Sequence, residues 1–304
     1  MSEKVLMKGN EAIAEAALSA GCRHYFGYPI TPQTEIAAYM AKRMPKIGGV
    51  FLQAESEISA INMVYGVSST GKRVMTSSSS PGVSLKMEGI SYLAGSDLPA
   101  VIVNVQRGGP GLGGIQPSQS DYFQATKGGG HGDYHMIVLT PASVQEMASL
   151  TMLAFDLADK YRTPVMILAD GTIGQMMESV VLPDEVKEKK YEKPWALTGT
   201  KMMREHNIVN SLYLSPEKLE ETNIERFERY RKIEENEVRV ESYMMDDASY
   251  ALVAFGIASR VAKASVNELR ALGVKCGLIR PLTVWPFPSK VINEASYRVE
   301  AFIS

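Results

Sequence analysis

An α/β fold, a mainly parallel sheet with helices on both faces, is what this sequence predicts, on three observations. Short apolar runs recur at 23–28, 49–53, 73–76, 100–105, 136–139 and 164–169. Helix-period patterns alternate with them, at 8–20, 33–43, 56–70, 83–95 and 142–161. Such alternation marks parallel strands joined by crossover helices. The runs 100–105 and 164–169 are apolar at nearly every position, as strands covered on both faces must be.

Taken in order, Met1-Ser2-Glu3-Lys4 leads straight into a helix that carries Ile13, Ala16, Ala17 and Ala20 at helical spacing. The first strand ends in Gly27-Tyr28-Pro29-Ile30-Thr31-Pro32. Proline fixes its own φ and pushes the preceding residue toward extended geometry. The Thr31 hydroxyl is therefore carried on a stiff loop, and Pro32 suits the first turn of the next helix. A tight βα turn explains the loop equally well. After 49–53 comes Ala54-Glu55-Ser56-Glu57, with Glu57 in the first turn of a helix bearing Ile58, Ile61, Met63 and Val64. A carboxylate there gains ~0.3–1 kcal/mol from the helix dipole. It can also serve as a proton-sharing group in a partly apolar pocket. The next strand leads to Ser77-Ser78-Ser79-Ser80-Pro81-Gly82, and 100–105 leads to Arg107 and the glycine-rich loop 108–114. A further run, Gly128-Gly129-Gly130-His131-Gly132, precedes 136–139. Ligands of open α/β sheets bind outside the C-terminal strand ends, so all these loops are expected to converge on one edge. They would bring a hydroxyl, carboxylates, serines and a guanidinium together, with glycines allowing close backbone approach.

The pattern breaks after Pro183. Residues 184–245 are charge-rich, with Lys187-Glu188-Lys189-Lys190 and a stretch at 217–240 that reads as an exposed helix. A second α/β pattern starts near Ala248: strand 250–255, helix 261–272 stopped by Gly273, and strand 274–279. A loop shaped by Pro281, Pro286 and Pro288 follows, then a short helix and a strand at 298–303. The expected domains are 1–189, a charged linker region at 190–245, and 246–304. The last is too small to bury a proper core alone, so it is expected to be incomplete at its C-terminal end.

The 304 residues suit about two domains. A net charge of −2, with 45% apolar and 22% charged residues, leaves no electrostatic footprint for nucleic acid or an anionic membrane. No apolar run reaches the roughly 18 residues of a membrane span, and no apolar signal region is visible; a cytoplasmic location is expected. The two cysteines, Cys22 and Cys276, fall short of the four thiolates an iron–sulfur cluster normally needs. His24, His131, His135 and His206 form no ligand pattern, so no metal site is expected in this chain.

Two phosphate-loop matches are weak. Gly66-Val67-Ser68-Ser69-Thr70-Gly71-Lys72 ends in Arg73 where a Mg²⁺-binding hydroxyl is needed, and it follows a helix. Gly109-Pro110-Gly111-Leu112-Gly113-Gly114 follows a strand but opens no apolar-periodic helix.

The combination carries more than its parts. Tyr28-Pro29-Ile30-Thr31-Pro32, Ser56-Glu57 with Gly66 and Ser69-Thr70-Gly71, Ser79-Ser80-Pro81-Gly82, and Arg107 in a glycine-rich loop together resemble the α subunit of 2-oxoacid:ferredoxin oxidoreductases. The similarity is closest to the branched-chain, 3-methyl-2-oxobutanoate type. It covers residues 8–182 and continues through 250–304, where Arg280-Pro281-Leu282-Thr283-Val284-Trp285-Pro286-Phe287-Pro288 resembles part of a transketolase C-terminal-like domain. The resemblance implies a thiamine-diphosphate-binding fold whose first domain holds the aminopyrimidine ring. It implies Glu57 as the catalytic carboxyl on that ring, with Glu55 as the alternative. Thr31 and Arg107 match the substrate-contacting residues, and Tyr28, Pro29, Ile30, Glu57, Ser80, Pro81 and Gly82 the cofactor-binding ones.

The diphosphate and its Mg²⁺ would sit on a β subunit, and 4Fe-4S clusters on other subunits. Further γ and ferredoxin-like δ subunits complete the expected assembly, a dimer of hetero-oligomers. The reaction implied takes a 2-oxoacid, coenzyme A and oxidised ferredoxin to acyl-CoA, CO₂ and reduced ferredoxin. A scaffold subunit with a decayed half-site, and a stand-alone nucleotide-binding α/β protein, are the competing readings.

Overall fold

The computed structural model describes residues 4–182 and 191–304. The Lys187–Lys190 charge run, the break after Pro183 and the boundary at 189/190 lie outside the described residues. In chain order the elements are β1 (Lys4–Lys8), α1 (Gly9–Ser19), β2 (His24–Gly27), α2 (Thr34–Arg43), β3 (Val50–Gln53), α3 (Glu57–Ser69), β4 (Val74–Ser78), α4 (Pro81–Gly95), β5 (Ala100–Gln106), α5 (Tyr122–Thr126), β6 (Ile137–Leu139), α6 (Val144–Tyr161), β7 (Pro164–Asp170), α7 (Gly171–Gln175) and β8 (Met177–Val181). After the gap come α8 (Pro216–Asn236), β9 (Val240–Tyr243), β10 (Tyr250–Val253), α9 (Gly256–Ala271), β11 (Cys276–Pro281), β12 (Thr283–Trp285), α10 (Ser289–Ser296) and β13 (Ala301–Ile303).

The main sheet has seven strands in the order β12-β6-β7-β5-β4-β2-β3. All its pairings are parallel except β12 on β6. The six parallel strands are those the apolar runs predict. Their order fixes where the helices go. The step from β2 to β3 runs opposite to those from β3 to β4 and from β4 to β5, and β6 to β7 again reverses. Right-handed crossovers then put α2 and α6 on one face and α3 and α4 on the other. Consistent with this, α1 packs on α2 and α6, while α3 packs on α4. β4 and β5 are buried at every position, and neither carries a charged residue.

Several elements depart from the sequence reading. The N-terminal segment is strand β1, paired antiparallel with β8, rather than the start of a helix. The pair is short, and Leu6 and Met177 remain exposed, so its alternation carries no strong signal. α8 is exposed and charged over most of its surface, as expected, but not all round. Thr222, Arg226, Tyr230 and Ile233 form a buried stripe, hidden in the sequence because two of its four members are polar. Residues 240–243, expected within the charged linker, are an edge strand of a second sheet ordered β13-β10-β11-β9.

The proline-rich loop contains β12, which crosses back and pairs with β6 of the first sheet. Trp285 stacks on His135 with ring centroids 4.8 Å apart, and Tyr230 meets both rings edge-on at 5.6 and 5.4 Å. Arg280 ties the sheets further through Glu146 on α6 and, at 2.9 Å, Glu241 on β9. Among the described residues no helix is long and apolar enough to cross a membrane.

Candidate functional site

The direction of the crossovers reverses between β2 and β4, so the loops leaving these neighbours part to opposite faces and open a crevice at their C-terminal ends. The loop after β2 is held from three sides. Buried Asn10 donates to the Pro32 carbonyl at 2.8 Å, Gln33 Nε2 donates to the Tyr28 carbonyl at 3.2 Å, and Arg107 donates to the Thr31 carbonyl at 2.9 Å. Thr31 and Pro29 are exposed, Tyr28 is 36% exposed and Ile30 half-buried. Thr31 lines a cavity of about 370 Å³ with Pro32, Glu35, Ile115, Pro117 and Gly171.

Arg107 follows β5 and is buried. Beyond Thr31 it donates to the Leu112 carbonyl at 2.9 Å. Its Nε has no partner among the described residues. A guanidinium carries five N–H groups, so three are without a hydrogen bond among the described residues. The glycine-rich loop closes on itself around this point. Gly114 N–H donates to the Gly108 carbonyl at 2.8 Å, and Gly113 sits at φ +62° where a Cβ would strike that same carbonyl. Here glycine is required by both sign of φ and space.

Ser80 stands at φ +29°, just before Pro81 opens α4. Its backbone amide donates to Asn104 Oδ1 at 3.0 Å, and its hydroxyl donates to Asp121 at 2.6 Å and accepts from the Arg107 amide at 3.0 Å. Ser80, Pro81, the loop 108–111 and Asp121 line a second cavity of about 400 Å³. Arg107 thus separates the Thr31 side from the Ser80 side.

Glu57 opens α3 and is 6% exposed. Ser56 caps the helix by accepting from the Ser59 amide at 3.2 Å. No hydrogen bond to the Glu57 carboxylate occurs among the described residues. The carboxylate lies over Gly82: a Cβ there would meet Glu57 Oε1 at 2.7 Å and Ser78 Oγ at 2.2 Å. The Ser78 and Ser79 hydroxyls are buried and likewise unpartnered. Glu55 differs. It is exposed, and its carboxylate accepts from the Ser59 hydroxyl, which holds it below the usual carboxylate range.

The structure brings Glu57 to Gly82 and Arg107 to both Thr31 and Ser80. It does not bring the 128–132 run to them. Gly129 and Gly130 pack on Met87 and Ser91, in the middle of α4. Neither phosphate-loop match forms such a loop: Gly66 is inside α3, and an irregular segment follows Gly114. Sequence reasoning missed Asn104, Asp121 and Lys86. Asn104 is a polar side chain inside the otherwise apolar run 100–105, and Lys86 falls on the Val83, Met87, Ile90 and Leu93 stripe of α4. Both are signals. Asp121, in an irregular loop, offers none.

Comparison with known proteins shows the family of the chain. Residues 15–245 match the family described as pyruvate flavodoxin/ferredoxin oxidoreductase, thiamine diphosphate-binding, and residues 248–304 match pyruvate:ferredoxin oxidoreductase core domain II. The ketoisovalerate oxidoreductase subunit VorB of Methanothermobacter marburgensis is 54% identical, across 98% of this chain and 85% of its own length. The 2-oxoglutarate synthase subunit KorA of Methanocaldococcus jannaschii is 38% identical, across 95% and 84%. The solved 2-oxoglutarate:ferredoxin oxidoreductase of Magnetococcus marinus, with 2-oxoglutarate, coenzyme A and succinyl-CoA bound, superposes with a TM-score of 0.89 at 29% identity. That match spans 99% of this chain and 57% of the other. A split-gene transketolase, TM-score 0.54 at 12% identity, shares the fold alone.

Proposed function

From the premise that this chain belongs to the thiamine-diphosphate-binding 2-oxoacid:ferredoxin oxidoreductase family, we propose that it is the subunit that holds the aminopyrimidine half of the cofactor. The assembled enzyme would oxidise a branched-chain 2-oxoacid to its acyl-CoA and CO₂, with electrons passed to ferredoxin. The observation that carries this is the buried, unpartnered Glu57 carboxylate over Gly82 at the crevice between β2 and β4. The donor set fits a planar heterocycle. The Ser78 and Ser79 hydroxyls are buried without partners among the described residues, and Gly82 puts no side chain between Ser78 Oγ and the Glu57 carboxylate, where a Cβ would strike both.

Thiamine diphosphate, when bound, supplies the nucleophilic carbon and the electron sink for decarboxylation. Glu57 would hold a proton at its carboxyl toward the ring nitrogen. Tyr28, Pro29 and Ile30 on one side, and Ser80 and Pro81 on the other, would wall the ring. Arg107 would turn its remaining N–H groups to the oxoacid carboxylate, which a guanidinium binds in two-pronged fashion. The Thr31 hydroxyl would donate to the oxoacid's oxygens. The diphosphate with Mg²⁺ would be held by a β subunit, and the 4Fe-4S clusters by γ- and δ-type subunits of a cytoplasmic dimer of hetero-oligomers. The branched-chain assignment rests on the identity to ketoisovalerate oxidoreductase subunits.

The test is the purified complex assayed for coenzyme-A-dependent dye reduction with a panel of 2-oxoacids. Highest kcat/KM is expected with 3-methyl-2-oxobutanoate, and preference for 2-oxoglutarate or pyruvate would overturn the substrate assignment. Glu57→Gln is expected to lose at least a hundredfold in turnover, the range set by removing general acid–base help, whereas Glu55→Gln is expected to retain it. Near wild-type turnover in Glu57→Gln would sink the role given to Glu57.

A further inference from the structure

A lysine is almost never fully buried unless it is paired, and Lys86 is fully buried on α4. Its Nζ donates to Thr76 Oγ1 on β4 at 2.7 Å. An ammonium has three N–H donors, and among the described residues no second hydrogen bond to it occurs. It lies one helical turn beyond Gly82, against which the Glu57 carboxylate packs. Burial pushes the Lys86 ammonium down to about 7, and the Glu57 charge partly offsets this.

Among the described residues the other ionisable groups near α4 are engaged elsewhere or absent. β4 and β5 carry no ionisable side chain. Tyr25 on β2 keeps its proton, since burial raises its phenol. Asp170 at the end of β7 is tied to the Thr172 and Ile173 amides. Asp121 is tied to Ser80 and Asn104, and Glu88 on α4 faces solvent with Tyr92. Among the described residues neither Lys86 nor Glu57 makes an ion pair with another group, and both are buried on helices α4 and α3, which pack on each other.

We propose that Lys86 is a positioning residue for Glu57: its amine, aimed by Thr76, sets how tightly the Glu57 carboxyl holds the proton it shares with the aminopyrimidine ring nitrogen. The inference rests on the reading of Glu57 given above. Only that proton moves, between Glu57 Oε and the ring nitrogen, and no bond of Lys86 forms or breaks. An ammonium beside the carboxyl favours its ionised form, and a neutral amine withdraws that help.

The experiment uses the assembled complex with Lys86→Met, Thr76→Val and Glu57→Gln. Thiamine diphosphate with Mg²⁺ is titrated calorimetrically across pH, in buffers of different ionisation heat, to count the protons taken up on binding. The pH profile of kcat/KM is the second readout. Lys86→Met is expected to bind the cofactor while the midpoint of proton uptake, and the alkaline limb of kcat/KM, move up by about one pH unit, the low end of what a nearby opposite charge does. Thr76→Val, which removes only the bond that aims Nζ, moves both the same way by less.

Melting separates this from a structural role. Between about 7 and 10.5 the unfolded chain binds more protons than the folded one at Lys86, so its burial penalty is full below pH 7 and is relieved as pH rises. Lys86→Met should therefore melt at or above the wild-type temperature below pH 7. Unmoved midpoints in both variants overturn the proposal. In Glu57→Gln the proton-linked midpoint is expected to vanish. If that variant keeps both proton uptake and turnover, the reading of Glu57 falls. If it loses both while the Lys86 and Thr76 variants shift nothing, only the Lys86 inference falls.

Discussion

We propose two tasks for Arg107. Its bonds to the Thr31 and Leu112 carbonyls staple the loop after β2 to the glycine-rich loop, and its remaining N–H groups would take the oxoacid carboxylate. Lysine cannot span two carbonyls with a planar fork, so Arg107→Lys is expected to behave much like Arg107→Ala. Losing one or two charge-assisted hydrogen bonds, at about 1.5–3 kcal/mol each, predicts a fall in kcat/KM of tenfold or more, carried mainly by KM. Steady-state kinetics with the 2-oxoacid varied will measure it, and a defect confined to ferredoxin reduction would count against this role. The residue types at the site were legible: a Thr between prolines, an acid at a helix start, an Arg before glycines. Their partners were not. Arg107 binds backbone carbonyls, which every residue possesses, and Lys86 sits on an apolar stripe where a long aliphatic stem passes for packing.

Among the elements, the parallel strands were legible because double burial writes itself as unbroken apolar sequence. The helices were legible from their period, but a buried face that carries polar residues was not. α8 shows the limit, since its buried stripe includes Thr222 and Arg226, and its docking partner arrives from residues far along the chain. The joint is aromatic: Phe227 and Tyr230 on α8, His135 before β6, and Trp285 on β12. Trp285 is 8% exposed, and Trp→Ala in such a core costs about 3–5 kcal/mol. Trp285→Ala is expected to lower the melting temperature and to speed proteolysis within α8, while Trp285→Phe keeps most of the packing. Limited proteolysis followed by mass spectrometry tests this. Unchanged cleavage of α8 would mean that the helix is held by its other contacts.

On the scale of the whole molecule, the two sheets are joined by more than a linker. Arg280 bridges Glu146 and Glu241, Gln119 donates to the Phe255 carbonyl at 2.8 Å, and the Ile257 amide donates to Asp170 at 3.4 Å. Strand β12 goes further and becomes the outer strand of the first sheet. Ending the chain at residue 245 would strip β6 of that cover and leave Ile137-Val138-Leu139 as an open apolar edge, a template for pairing with other chains. Such a truncation is expected to associate or precipitate where the 304-residue chain does not, as read by size-exclusion chromatography and light scattering. A monodisperse truncated species with a cooperative melt would refute this. The same crossing governs chimeras. Swapping everything after 245 for the matching part of a relative exchanges the border of the sheet that was meant to be kept, so the graft must match two surfaces at once.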